Sequence, residues 1–341
     1  MRLFAPAEAR PAAWEELAPH YGLRQRFEVE WLPSLRPLKR FDFIWYAHLA
    51  AQRFGADLIY TWLPQSAALG TWSSRPVVLE LHADVTGRLG AWWLRRFWAG
   101  HANRRMLVTT SALHKALERS TRLTFPDEAV QIAPNGVDLE RYADLPDSAE
   151  ARRQLNLKDG LTVGFTGHFY AGRGMDLLFE LARLLPQVNF LWVGGTAEAV
   201  EEWRTKLKSV RASNVILTGF IDNSRLPLYQ AAADILLMPY GRSISASSGQ
   251  DIAEVINPMQ MFEYMAACRA ILTADLPVIR EVLDETRAVF CEPGDVKAWT
   301  SAIMDLLNDD RLRARLSANA RSEVEKHTWR ARAARALNGI L

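Results

Sequence analysis

Two α/β domains in tandem, each a parallel sheet wrapped by helices, are the fold class this sequence predicts. Three observations carry that reading. Short apolar runs alternate with helical patterns from the N-terminus onward, as in strands joined by helical crossovers. The 341 residues are enough for two domains of ordinary size. The alternation pauses at a polar, turn-forming cluster of Asp144, Pro146, Asp147 and Ser148, which reads as a linker. The expected domains are residues 1–145 and 146–328, with a last helix over 329–341 crossing back to the first.

Bulk properties narrow the function classes. A net charge of +2 is too small to point to nucleic acid, and none is expected as a partner. Cys268 and Cys291 are too few and too isolated for a disulfide framework or a zinc site, so no metal ligands are assigned. No apolar run approaches a membrane span, and no signal-peptide pattern follows Met1. The expected location is the cytoplasm, with the inner face of the membrane as a peripheral site.

In the first half, strands are expected over 2–5, 27–32, 57–62, 77–82, 106–110 and 130–133. His82 stands at the carboxyl end of the fourth. Eight of the twelve tryptophans, Trp14, Trp31, Trp45, Trp62, Trp72, Trp92, Trp93 and Trp98, fall in this half. Residues 88–105 carry Arg88, Arg95, Arg96, Arg104 and Arg105 with no acidic residue, interleaved with Trp92, Trp93, Phe97 and Trp98. That segment reads in two ways. It suits peripheral contact with an anionic lipid surface, or a buried aromatic helix face with a solvated basic edge. Pro134-Asn135-Gly136 then marks a turn.

The second half repeats the pattern, with strands expected over 161–166, 189–193, 215–219, 235–238, 270–273 and 288–291. The first of these runs into Gly167-His168-Phe169-Tyr170-Ala171-Gly172-Arg173-Gly174. A strand that enters glycines and then a helix brings backbone N–H groups close to a diphosphate. The third glycine of a dinucleotide fingerprint is absent, since Met175, Asp176 and Leu177 follow, so hydride chemistry is disfavoured. The connection 241–255 is polar, with Ser243, Ser245, Ser247, Ser248 and Gly249, and reads either as a loop that orders over a ligand or as a plain connection.

The most informative stretch begins at Asn257-Pro258-Met259-Gln260. Asn257 is expected as N-cap, Pro258 at the first helical position, and Gln260 in a capping box. The start of such a helix binds anions, and Glu263 one turn further in is placed to hold hydroxyls. Phosphate on the helix end and a ribose on the glutamate describe a nucleotide-sugar site.

Asn257-Pro258-Met259-Gln260-Met261-Phe262-Glu263-Tyr264-Met265-Ala266-Ala267-Cys268 resembles the donor motif Ser-Pro-x-Lys-x-x-Glu-Tyr-Met-Ala-x-Gly of the large retaining mannosyl- and glucosyltransferase family (glycosyltransferase group 1, family 4-like). Pro134-Asn135-Gly136-Val137-Asp138 and the 215–221 strand resemble further segments of that family, in its order. The resemblance implies a GT-B fold, two Rossmann-like domains facing a cleft. It implies transfer of a sugar from a nucleotide diphosphate-sugar to a hydroxyl acceptor with retention, without a cofactor or bound metal. Arg173 takes the place of the phosphate-binding Lys. His82 would lie by the transferred sugar. Gly167, His168, Gly219, Phe220, Asn257, Pro258, Met259, Gln260 and Glu263 would complete the donor site, with Arg173, Glu263 and His82 as catalytic residues.

This chain departs from the pattern at His168, Gln260 and Val255, where the family has Arg, Lys and a first Glu. Cys268 replaces a helix-ending Gly. Neither the acceptor nor the choice between UDP and GDP is legible. A non-catalytic nucleotide-sugar-binding partner subunit and a sugar-nucleotide 2-epimerase are the alternatives.

Overall fold

The computed structural model describes residues 1–7, 11–38, 40–85, 87–245 and 249–340, without the side chains of 36, 87, 88 and 127. By internal packing the chain divides into two units, Met1–Pro134 with Ala333–Leu341, and Asn135–Arg332. The division falls ahead of the expected 145/146 boundary for a physical reason. Asn135 is hydrogen-bonded to Asn257 and Val137 bridges to Thr328, so the turn after Pro134 packs with the second unit.

In the first unit, β1 (Arg2–Pro6) and β2 (Glu28–Leu32) form a parallel two-stranded sheet, while β3 (Ile59–Thr61), β4 (Val77–Leu81), β5 (Arg104–Val108) and β6 (Val130–Ile132) form a parallel four-stranded sheet in that order. The six strands expected from the sequence are present but split between two sheets. The difference shows in the side chains. β4 is buried along its whole length, whereas β1 and β2 are joined by ion pairs from Arg2 to Glu28 and Glu30, at 2.6 and 3.3 Å. Val78 and Leu107 share a core with Ala133, Ala336 and Ile340. Arg105 donates to the carbonyls of Ala336 and Asn338 at 2.9 and 2.8 Å, capping the end of the Trp329–Leu337 helix.

The second unit contains β7 (Thr162–Thr166), β8 (Asn189–Val193), β9 (Val215–Leu217), β10 (Ile235–Met238), β11 (Ala270–Ala274) and β12 (Val289–Cys291), in one parallel sheet of order β12-β11-β10-β7-β8-β9. β7, β8, β10 and β11 are buried throughout, as strands covered on both faces must be. The order reverses between β7 and β10, and in open parallel sheets ligands bind beyond the carboxyl ends of the strands at such a switch point.

Two glycines shape that place. A Cβ on Gly172 (φ +79°) would lie 1.9 Å from the Ser243 carbonyl oxygen, and one on Gly174 (φ +84°) would lie 2.0 Å from that of Pro239. Only glycine permits so close an approach in a left-handed conformation.

The helix expected to start at Asn257 spans Met259–Ala266, with Pro258 as a cap residue of extended backbone and no side-chain capping bond. The Asn257 cap and the Gln260 capping box are therefore corrected, because both side chains have distant partners. Past the helix, Cys268 takes the left-handed φ of +54° that a glycine would hold without strain.

Candidate functional site

The carboxyl ends of β7 and β10 bring together residues far apart in sequence. Arg173 precedes the Met175–Leu184 helix, and its Nη1 donates to the Tyr240 hydroxyl at 3.4 Å. Its guanidinium carbon lies 5.3 Å from the centre of the Tyr240 ring, and its Nε is buried with no hydrogen-bond partner. Tyr240 is buried, and its hydroxyl donates to Gln260 Oε1 at 2.6 Å. Burial pushes that phenol up to about 12, so it stays protonated.

Gln260 Nε2 donates to the Thr166 carbonyl at 2.5 Å and to the Tyr264 hydroxyl at 2.6 Å. Its amide therefore closes the end of β7 onto the helix. Burial raises the Tyr264 phenol as well, and Tyr264 accepts from Thr166 N at 2.8 Å. Glu263, one turn in, accepts from Gln230 Nε2 at 3.2 Å. Gln230 also reaches Thr166 Oγ1 at 3.3 Å and accepts from Tyr142 at 3.0 Å. Burial raises the Glu263 carboxyl above its ordinary value, with the Gln230 bond and Arg141 acting against it. Arg173 and Glu263 thus belong to one network, running through Tyr240, Gln260, Thr166 and Gln230.

His168 stacks on Tyr170, with ring centres 4.8 Å apart and planes 8° from parallel. Burial and then Arg173 hold its imidazole below the ordinary value, so it is neutral at neutral pH and adds no cation. Gly167 N donates to Val193 O, and Gly194 N to Gly219 O, each at 2.9 Å. These bonds join the ends of β7, β8 and β9 beside Phe220, which is 59% exposed.

Asn257 turns away from the helix. Its Oδ1 accepts from Asn135 N at 2.7 Å and its carbonyl from Asn135 Nδ2 at 2.6 Å. Pro258 is buried, while Met259 is half-exposed. Val255 is buried and Glu254 exposed, so no carboxylate replaces the family's first Glu there. Arg242, in the loop after β10, is paired with Glu292 and so adds no free cation here.

Several expected residues belong to the first unit or lie outside the described residues. His82 belongs to the first unit, just past β4, with its Nε2 2.6 Å from Glu80 Oε1. In the 88–105 segment, Arg95, Arg104 and Arg105 donate to backbone carbonyls, Arg96 stacks on Trp72 with 4.6 Å to the ring centre, and the Arg88 side chain lies outside the described residues. Ser247 and Ser248 of the proposed closing loop also lie outside them. Tyr240, Gln230 and Thr166 went unassigned in the sequence. Gln230 was the findable one, a polar residue set against the apolar Ala231-Ala232-Ala233 run. Among the described residues no acidic, His or Cys cluster has the makings of a metal site, and no helix is long and apolar enough to cross a membrane.

A reversal point flanked by a glycine-tight loop and the start of a helix defines a class of α/β protein, and comparison with solved structures sharpens it to the GT-B fold. HepE of Anabaena, crystallised with UDP, superposes with a TM-score of 0.72 at 18% identity, over 95% of this chain and 87% of that one. Residues 160–309 match the family described as Glycosyl transferases group 1, and residues 1–141 match Glycosyltransferase Family 4. Each half of the chain thus matches a glycosyltransferase family description of its own.

TuaH of Bacillus subtilis, described as a putative teichuronic acid biosynthesis glycosyltransferase, is 30% identical over 48% of this chain and 38% of its own length. A GDP-mannose-dependent alpha-(1-6)-phosphatidylinositol monomannoside mannosyltransferase of Mycolicibacterium smegmatis is 28% identical over 64% of this chain and 59% of its own. The chain therefore spans about four- to six-tenths of the length of these two relatives.

Proposed function

We propose that this protein transfers a hexosyl group from a nucleotide diphosphate-sugar to a hydroxyl acceptor with retention at the anomeric carbon. The observation that carries the reading is the placement of Arg173, tied through Tyr240 and Gln260 to the helix that begins at Met259. Pro258 has no N–H, so Met259 and Gln260 supply the first free backbone donors of that helix. Together with Arg173 they stabilise charge growing on the leaving diphosphate, a role that needs no bound metal.

Gly167 and His168 line the phosphate side, Gly219 and Phe220 the base, and Glu263 the ribose. Asn257 supports the helix start through Asn135 rather than by direct contact. His82 serves the transferred sugar. The UDP of HepE and the GDP-mannose of the mycolicibacterial enzyme are the first donor nucleotides to try. A lipid-linked acceptor, met by peripheral contact with the cytoplasmic membrane face, is supported by Leu69, Trp72, Leu89 and Trp92. These side chains are exposed on two packed helices, Pro64–Gly70 and Gly87–Ala99, and the turn after the first.

Incubation with UDP- and GDP-sugars tests the reading. Release of nucleoside diphosphate and free sugar of retained configuration is expected even without acceptor. Binding without turnover would indicate the partner subunit, and an epimerised sugar still carrying its nucleotide would indicate the isomerase. Arg173→Ala is expected to weaken nucleoside diphosphate binding about tenfold or more, on the order of 1.4 kcal/mol. Unchanged affinity by calorimetry would place the phosphates elsewhere.

A further inference from the structure

The end of β4 holds a cluster that the donor site does not absorb. β3 and β4 run parallel with Tyr60 opposite Val78. Side chains alternate along a strand, so Tyr60, Val78 and Glu80 share one face. Glu80 is a buried acid, 4% exposed, in the middle of an otherwise aliphatic strand, Val-Val-Leu-Glu-Leu. A carboxylate in such a place costs stability unless both oxygens are engaged, and here they are. Oε2 accepts from the Tyr60 hydroxyl, and Oε1 lies 2.6 Å from His82 Nε2. The His82 side chain is 45% exposed, so the buried acid holds a ring that faces outward.

With Glu80 ionised its carboxylate only accepts, and the 2.6 Å contact then requires a hydrogen on Nε2 of His82. Nδ1 is then the ring's remaining polar atom, bare in the neutral imidazole. We propose that Glu80 is a positioning residue: it fixes His82 as the Nε2–H tautomer and orients the ring so that Nδ1 accepts a hydrogen bond from a substrate hydroxyl, while Tyr60 holds the carboxylate's second oxygen. This rests on the reading of His82 as a sugar contact. An amide at position 80 presents either an oxygen or an NH2 to the ring and so no longer dictates the tautomer.

The test is a long-range 1H–15N spectrum of the full chain labelled at histidine, taken where the ring is neutral, with His82 assigned by the signal lost in His82→Gln. The expected wild-type pattern is a protonated Nε2 and a bare Nδ1. Glu80→Gln is expected to mix or reverse it and to lower kcat by about tenfold or more, with KM for the donor little changed. Tyr60→Phe keeps the tautomer and lowers kcat less. A wild-type His82 protonated on Nδ1, or a tautomer unmoved by Glu80→Gln, overturns the inference. Should Glu80→Gln fail to fold, the wild-type spectrum and His82→Gln decide. Full transfer by His82→Gln overturns the substrate role while leaving the Arg173 donor reading, tested by its own binding measurement, intact.

Discussion

The two units solve the same architectural problem with different finish. In the second, six strands form one sheet, and the polar groups at its reversal point are wired to one another: Arg173 to Tyr240, Tyr240 to Gln260, Gln260 to Thr166 and Tyr264, Gln230 to Thr166 and Glu263. In the first, the strands fall into two sheets, and large side chains such as Trp45, Trp62, Trp72 and Trp92 are exposed. In the second unit Leu161, Leu184, Phe220 and Met259 are exposed as well, and of these Phe220 and Met259 stand at proposed donor positions. The contrast is one of wiring: the second unit's polar groups are hydrogen-bonded to one another at the reversal point, while the first unit exposes more tryptophan.

That contrast can be broken at several points. Gly172→Val is expected to have the largest effect, about 3 kcal/mol or more of lost stability, because its side chain would enter the space held by the Ser243 carbonyl. Urea unfolding of the variant measures it, and a cost near zero would show that the loop does not depend on this contact. Gln260→Ala is expected to cost about 1–3 kcal/mol, since it strips partners from Tyr240 and the Thr166 carbonyl. A Gln260→Ala protein as stable as wild type would mean that the network is not rigid.

Glu263 offers a pH test. Its carboxyl is raised in the folded protein, chiefly by burial, so the folded state holds its proton more tightly than the unfolded chain does. Stability from this group is therefore present at low pH and falls as pH rises from the unfolded value through the folded one. Glu263→Gln should flatten that decline, making the variant relatively more stable at neutral pH while weakening nucleotide-sugar binding. Melting curves across pH 4 to 8, an interval of about four units around the ordinary carboxylate range, would reveal a parallel slope if the acid is not responsible. Smallest of all, Trp92→Ser should leave stability within about 0.5 kcal/mol but reduce sedimentation with lipid vesicles. Unaltered sedimentation would remove the lipid reading of that surface.

Much of the fold was legible because buried parallel strands are written as short apolar runs. Residues 189–193 and 235–238 emerge as β8 and β10 with the expected bounds. The separation of β1 and β2 from the other strands was not, because periodicity marks a strand without naming its neighbour. The helix carrying Glu263 was visible, but its cap was misassigned. Asn257 is a good local cap, and a partner from Asn135, distant in sequence, claims its side chain instead. Gln260 was likewise read by local spacing, while its bonds go to Thr166 and Tyr240. Arg173 was marked by the resemblance, as the residue standing where the family has its phosphate-binding Lys. Tyr240 was not, since an aromatic residue after a buried strand looks like core until a hydroxyl partner is seen.

Cys268 has a practical consequence. It is exposed just past the Met259–Ala266 helix, whereas Cys291 is buried and its thiol pushed up to about 11. A maleimide fluorophore would therefore label the native chain at one addressable position. The helix spans roughly 12 Å, which sets the dye at the opposite end from the proposed phosphate contacts, near enough to report nucleotide arrival without occupying its place.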